Sequence, residues 1–374
     1  MKRAGLKEAK RIVVKVGTST ITYPTGKMNL SRMENLVREL TDLANQGREI
    51  LLVTSGAIAV GMDRMGKKKR PKAIPERQAL AAVGQGALMH AYGSLFAAYG
   101  KTAGQVLLTR ENSLRHHQYT NSRNALKVML AMGVLPVINE NDAVAVDEVK
   151  IGDNDTLSAT VATLVDADVL VLLSDVDGLY TANPQTDPAA RLISEVREIT
   201  PEIEALAGGA GSTAGTGGMR TKIAAAKMAM SAGVTMVIAR GDEDGVIRAI
   251  LRGEAVGTLF PAKEAHLKAR KSWLAFGRHI AGDLVVDDGC AAAMLTGGKS
   301  LLAAGLVSAE GDFGERSTVR VLTLAGREIA RGIVNYDAAS LRKIAGHRTK
   351  ELAEVLPGAA FDEVIHRDNM VLMV

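Results

Sequence analysis

The chain has 374 residues, 47% hydrophobic and 23% charged, with 38 glycines; this exceeds the roughly 250 to 300 residues that one core supports, so two domains are expected. One Trp, six Tyr and five Phe supply too few rings for a stacking platform on single-stranded nucleic acid, and the lone Cys290 excludes both an internal disulfide and a CxxC zinc site. The net charge of +5 is diffuse: residues 263–374 hold 15 Lys and Arg against 14 Asp and Glu, so no strong polyanion footprint is expected there.

The first eleven residues are basic, but the apolar run after them, 12–16, is short and interrupted by Lys15, and nothing later approaches a membrane span. A cytoplasmic protein without membrane contact is expected. Residues 12–16 and 50–53 read as strands around a helix at about 32–45, for which Ser31 and Glu34 predict a capping box and Gly47 a stop. Further strands are expected over 105–108, 134–138, 169–173 and 235–238, with helices near 78–99, 121–132, 156–165 and 219–232. Short β-branched runs alternating with longer helical stretches predict an α/β fold, an open and mostly parallel sheet sandwiched by helices. After Pro261 the pattern changes to alternating runs with glycine turns, over 282–286, 305–309, 318–322 and 326–336, which predicts a small β-rich domain. The expected division is 1–262, a charged connection over 263–279 that carries Trp273, and 280–374.

Two apparent motifs are set aside. Gly209-Ala210-Gly211-Ser212-Thr213-Ala214 formally matches the dinucleotide fingerprint but follows a helical stretch, so a nicotinamide cofactor is not expected. Gly298-Lys299-Ser300 resembles the end of a P-loop, yet the required first glycine is Ala293, and a turn is expected. The densest basic run, Gly66-Lys67-Lys68-Lys69-Arg70-Pro71-Lys72, reads as a solvated surface turn.

Six segments carry chemistry. In Thr216-Gly217-Gly218-Met219-Arg220-Thr221-Lys222, glycines let backbone approach a ligand just where a helix begins, and its free N–H groups with Lys222 suit a phosphate; a plain connecting loop is the alternative. Lys15 sits inside an apolar strand, where a lysine is costly unless an anion meets it, and Gly17 follows at the strand end; an edge-strand lysine is the alternative. Val53-Thr54-Ser55-Gly56-Ala57 runs a strand into a small-residue turn suited to an anion, but Ser55 lacks the GxSxG frame of a serine hydrolase. Asn139-Glu140-Asn141-Asp142 and Gly152-Asp153-Asn154-Asp155 together look like a polar site, although each residue alone suits a cap or turn. Ser174-Asp175-Val176-Asp177-Gly178 places a turn at a strand's carboxyl end, where open α/β sheets bind ligands. His116-His117 lacks HExxH spacing.

In order along the chain, Val14-Lys15-Val16-Gly17-Thr18-Ser19, Val53-Thr54-Ser55-Gly56-Ala57, Val137-Ile138-Asn139-Glu140-Asn141-Asp142, Gly152-Asp153-Asn154-Asp155, Gly178-Leu179-Tyr180-Thr181 and Gly215-Thr216-Gly217-Gly218-Met219 closely resemble the bacterial glutamate 5-kinases. These belong to the wider amino-acid kinase superfamily, and residues near the tail, including Ile344-Ala345-Gly346-His347, resemble the PUA domain these enzymes often carry. The resemblance implies the amino-acid kinase fold and transfer of the ATP γ-phosphoryl group to the side-chain carboxylate of L-glutamate for proline synthesis. Mg²⁺, feedback inhibition by proline and a homo-oligomer are expected with it. By motif position, Lys15 and Lys222 would hold the phosphates and the transferring group, with Asp155 orienting both. Ser55, Asp142 and Asn154 would bind glutamate. Lys15, Ser174, Asp175, Thr216, Gly217, Gly218, Met219, Arg220, Thr221 and Lys222 would contact ATP. Ser174 stands where threonine is expected and keeps the hydroxyl. Mg²⁺ is expected on phosphate oxygens, with no protein ligand named.

The chemistry agrees with that inventory. A glutamate side chain, pKa about 4.3, is already an anion at neutral pH and needs no general base. The task is to bring two anions together, which is positioning and electrostatics. Asp142 would pair with a free α-ammonium, which disfavours the alternative of acetylglutamate kinase, whose acylated substrate would leave that carboxylate unsatisfied. RNA binding by the C-terminal module is a second alternative, opposed by its near-neutral charge.

Overall fold

A computed structural model describes residues 2–109, 116–144, 154–184, 186–207, 218–262, 280–315, 317–357 and 361–373. The chain divides into two compact units, Met1–His266 and Leu267–Val374. The first contains β1 (Arg11–Val16), α1 (Thr18–Ile21), α2 (Leu30–Asn45), β2 (Glu49–Val53), α3 (Ala57–Arg64), α4 (Ile74–Ala98), β3 (Ala103–Leu108), α5 (His116–Ala131) and β4 (Leu135–Glu140). It continues with α6 (Asn154–Leu164), β5 (Val169–Ser174), α7 (Pro201–Leu206), α8 (Met219–Ser231), β6 (Thr235–Arg240), α9 (Val246–Leu251) and β7 (Thr258–Phe260).

The strands form one sheet in the order β3-β4-β2-β1-β5-β6-β7. Neighbours run parallel except for β7, which is antiparallel to β6. Each of the six expected strands is present; β7 is an addition, since three residues are too few for alternation to register. The predicted capping box is wrong. The side chain of Asn29, not Ser31, caps α2 by accepting from the Arg32 N–H at 3.2 Å, so the helix begins at Leu30. The predicted stop holds: Gly47 has φ 84°, and its N–H reaches Ala44 O while that of Arg48 reaches Leu43 O.

Alternation along β1 divides its side chains between two faces. Ile12, Val14 and Val16 enter a core with Leu36, Val37 and Leu40 of α2 and Leu88, Tyr92 and Phe96 of α4. Burying each of these large side chains contributes about 1.5–3 kcal/mol. Lys15 points to the opposite face, where α6 and α8 begin.

The second unit contains β8 (Gly282–Val286), α10 (Asp288–Gly297), β9 (Leu301–Leu302), β10 (Leu306–Gly311), β11 (Thr318–Thr323), β12 (Glu328–Ile333), α11 (Ala338–Ile344), α12 (Leu352–Val355), β13 (Glu363–Ile365) and β14 (Met370–Leu372). Its main sheet has the order β10-β8-β11-β12-β14, with β13 pairing β9 separately. Only the β8–β11 pair is parallel. It encloses its own core of residues such as Leu284, Val321, Leu341 and Ile365. The run 326–336 holds a shorter strand than expected, and α10 and α11 were not anticipated; Asp287 and Asp337 cap them by accepting from Cys290 N–H and Ser340 N–H, each at 2.7 Å. Gly298 ends α10 at φ 56°, in the turn expected there. The connection 263–279 and Trp273 lie outside the described residues. Among the described residues, no helix is long and apolar enough to cross a membrane.

Candidate active site

The carboxyl ends of β1, β2, β4 and β5 lie side by side, the edge at which open α/β sheets take ligands. Lys15 is the penultimate residue of β1, with Val53 and Leu172 as its neighbours in register. It is only 6% exposed, and a lone ammonium there would cost several kcal/mol. Its partner is Asp155, fully buried in the first turn of α6, where the helix dipole also favours a negative charge. Lys15 Nζ lies 2.5 Å from Asp155 Oδ1. Lys222, near the start of α8 and equally buried, lies with its Nζ 3.2 Å from Asp155 Oδ2. The Thr221 hydroxyl is 3.1 Å from the same oxygen and 2.7 Å from Gly218 O. One carboxylate thus holds two ammonium groups, and the trio has a net charge of +1. Among the described residues the backbone beside it is open: a Cβ on Gly17 would have Lys15 Nζ 3.9 Å away as a near neighbour, and one on Gly218 would meet none of them within 4 Å.

A second cluster joins the ends of β2 and β4. The chain leaves β2 through Thr54 and Ser55 and turns into α3 at Gly56, whose φ of 95° an L side chain rarely adopts. Asn154 Nδ2 faces Thr54 O at 2.6 Å, Ser55 Oγ at 2.8 Å and Asn139 Oδ1 at 2.9 Å. Asn139 Oδ1 also accepts from the Glu140 N–H at 2.9 Å, and its Nδ2 donates to Gln85 Oε1 of α4 at 2.8 Å. Beneath them the Thr54 and Tyr92 hydroxyls are 3.0 Å apart, and burial pushes the Tyr92 phenol above its ordinary range.

Asp142 is half-buried beyond the end of β4. Burial raises its carboxyl, while the charges of Arg70 and Arg77 pull it down. The basic turn is solvated as expected, with Lys67 paired to Glu76 at 2.8 Å; the influence of the Arg70 charge on Asp142 was not anticipated. At the end of β5, buried Ser174 donates to Asp175 Oδ1 at 2.9 Å, and Asp175 is exposed. Beside them Asp177 accepts from Arg240 Nε and from the Tyr180 hydroxyl, both at 2.8 Å; the hydrogen bond from Arg240 holds its carboxyl below the usual range. Met219 and Arg220 open α8. Thr216, Gly217, the Gly209–Ala214 pattern and Asp153 lie outside the described residues.

The sequence pattern of the Amino acid kinase family matches residues 10–240. The chain belongs to that family. A PUA domain pattern matches residues 282–356, within the second unit. Among relatives of this amino acid kinase, a protein of Moorella thermoacetica named glutamate 5-kinase is 53% identical over 99% of this chain and 98% of its own. Another so named, from Carboxydothermus hydrogenoformans, is 52% identical over 98% and 99%, and one from Geobacter sp. is 44% identical over the whole of both chains.

In this amino acid kinase the residues overlooked in the sequence are Gln85, Arg77 and Arg240. Gln85 carries a signal in hindsight: it is the single polar side chain between Ala79 and Met89, a stretch otherwise apolar or small. Arg240 carries none, since a terminal arginine on a strand is ordinary surface chemistry.

Proposed function

We propose that this amino acid kinase is a glutamate 5-kinase, transferring the γ-phosphoryl group of ATP to the side-chain carboxylate of L-glutamate and yielding L-glutamyl 5-phosphate for proline synthesis. The observation that carries the reading is the buried trio in which Asp155 holds Lys15 and Lys222. A carboxylate oxygen attacks the γ-phosphorus, the bond to the β,γ-bridging oxygen breaks, and ADP leaves with its electron pair. No proton need move, so the protein's work is to hold two anions in line and cancel their repulsion. The two ammonium groups, pre-ordered by Asp155, face the oxygens on which charge accumulates. Since they are already desolvated and fixed, little reorganisation accompanies reaction.

Ser55, Asn154 and Asp142 take glutamate, with Asp142 on its α-ammonium. Ser174, Asp175 and the segment 216–222 take ATP. Among the described residues no three His, Cys, Asp or Glu side chains form a group that could hold a metal; Mg²⁺ enters with ATP, on phosphate oxygens and water. Proline as feedback inhibitor and a homo-oligomeric assembly belong to the same reading.

ATP consumption measured with L-glutamate, N-acetylglutamate, aspartate and UMP tests it. Only glutamate is expected to support turnover, and preference for any of the others would overturn the assignment. Lys222→Ala is expected to lower kcat at least ~100-fold, the scale of one lost transition-state donor. Near-normal turnover would remove Lys222 from the reacting centre.

A further inference from the structure

Two main-chain groups, each with one possible role, fix the direction of every hydrogen bond in the amide cluster. The Thr54 carbonyl can only accept, so Asn154 turns its nitrogen toward it and spends that nitrogen on three protein oxygens. The Glu140 N–H can only donate, so Asn139 turns Oδ1 toward it and gives Nδ2 to Gln85 Oε1. The outward groups follow. Asn154 is left with Oδ1, an acceptor; Ser55, whose Oγ accepts from Asn154, is left with its hydroxyl hydrogen; and Gln85 is left with Nε2, a donor. Arg77 lies two turns before Gln85 along the same side of α4, separated from it by the buried Ala81. Its Nε is shielded from solvent, and its charge, like that of Arg70, acts on Asp142. This part of the site therefore combines positive and negative groups, as recognition of a zwitterion requires.

We propose that α4 forms a carboxylate-recognition wall, in which Arg77 and Gln85 Nε2, with Arg70 at the rim, take the α-carboxylate of the amino-acid substrate while Asp142 and Asn154 Oδ1 take its ammonium. The proposal rests on the glutamate reading above and extends it to the end of the substrate remote from the chemistry. In the empty site the charges of Arg70 and Arg77 act on Asp142. On binding, the substrate's carboxylate meets the arginines and its ammonium meets Asp142.

The test compares L-glutamate with its α-amide, which keeps the reacting side-chain carboxylate and loses only the α-carboxylate charge. The wild-type chain is expected to prefer glutamate at least ~30-fold in kcat/KM, as a site built around a polar group rejects the analogue lacking it. Arg77→Met should raise the KM for glutamate ~30-fold, leave the KM for ATP within about twofold and lower kcat/KM for the α-amide far less, so the preference collapses. Arg77→Lys, which keeps the charge, should recover glutamate binding to within about fivefold of wild type. Gln85→Glu, which sets a like charge against the α-carboxylate, should raise the KM for glutamate ~10-fold. Equal losses on both substrates in Arg77→Met, or glutamate turnover without discrimination in the wild type, would overturn this proposal alone. Absence of glutamate turnover in the wild type would overturn the function reading and this proposal with it.

Discussion

Asp142 stands under two opposed influences, burial raising its carboxyl above the ordinary value and Arg70 and Arg77 drawing it back, with burial the larger. Only the ionised form attracts an ammonium, and a raised pKa means that this form is lost as pH falls, at a pH above the ordinary value of 3.8. The substrate's own side-chain carboxyl titrates near 4.3 and stops being a nucleophile there. The acid limb of kcat/KM for glutamate is therefore expected to have two contributions. Asp142→Asn should delete the one from the protein and keep the one from the substrate, while raising the KM for glutamate at least ~10-fold, the scale of a lost charged hydrogen bond. An unchanged pH profile, or an equal rise in the KM for ATP, would place Asp142 outside the glutamate site. At this scale the sequence is legible where a residue contradicts its surroundings. Lys15 in an apolar strand demands an anion, whereas nothing local marks Asp155 as that anion; only the fold, or the family resemblance, brings the two together. Gln85 was missed because the partner that defines it, Asn139, lies on a different element.

Elements were readable where their hydrophobic pattern is strong. The apolar runs of β1 and β5 and the helical pattern of α2 announce themselves, but β7, β13 and β14 have three residues each and no period to detect. At the start of α2, Asn29 and Ser31 both have capping side chains, and sequence alone does not say which the helix selects. Least legible is the packing of α3 against α4. A Cβ on Gly84 would overlap the Ala57 carbonyl, and one on Gly61 would overlap that of Leu80; the two helices approach backbone to backbone, at the one place on each where no side chain intervenes. Since α3 follows Ser55 and α4 carries Gln85, this crossing sets the distance between two sides of the substrate site. Gly84→Ala forces the helices apart against carbonyl oxygens that cannot rotate away. It is expected to destabilise the first unit by ~3 kcal/mol, the upper range for overpacking, and to raise the KM for glutamate more than that for ATP. Calorimetry and steady-state kinetics on the same preparation check both, and an unperturbed melting temperature would mean that the helices slide without cost.

The two units bury separate sets of side chains: the core built on Val14, Leu40 and Phe96 shares no residue with that built on Val321, Leu341 and Ile365. The proposed site draws all its residues from the first unit, so substrate binding free energy enters that unit's stability and no other. Heating the full chain is therefore expected to give two calorimetric transitions. A ligand at one hundred times its Kd stabilises the state that binds it by about 2.7 kcal/mol, which for a unit of this size moves its midpoint upward by roughly 5–10 °C. MgATP should shift one transition by that amount and leave the other in place, and Lys15→Ala should abolish the shift without moving the second transition. A single transition displaced as a whole by MgATP would show instead that the two cores unfold as one cooperative body, and that the C-terminal unit senses nucleotide despite supplying none of the groups proposed to bind it.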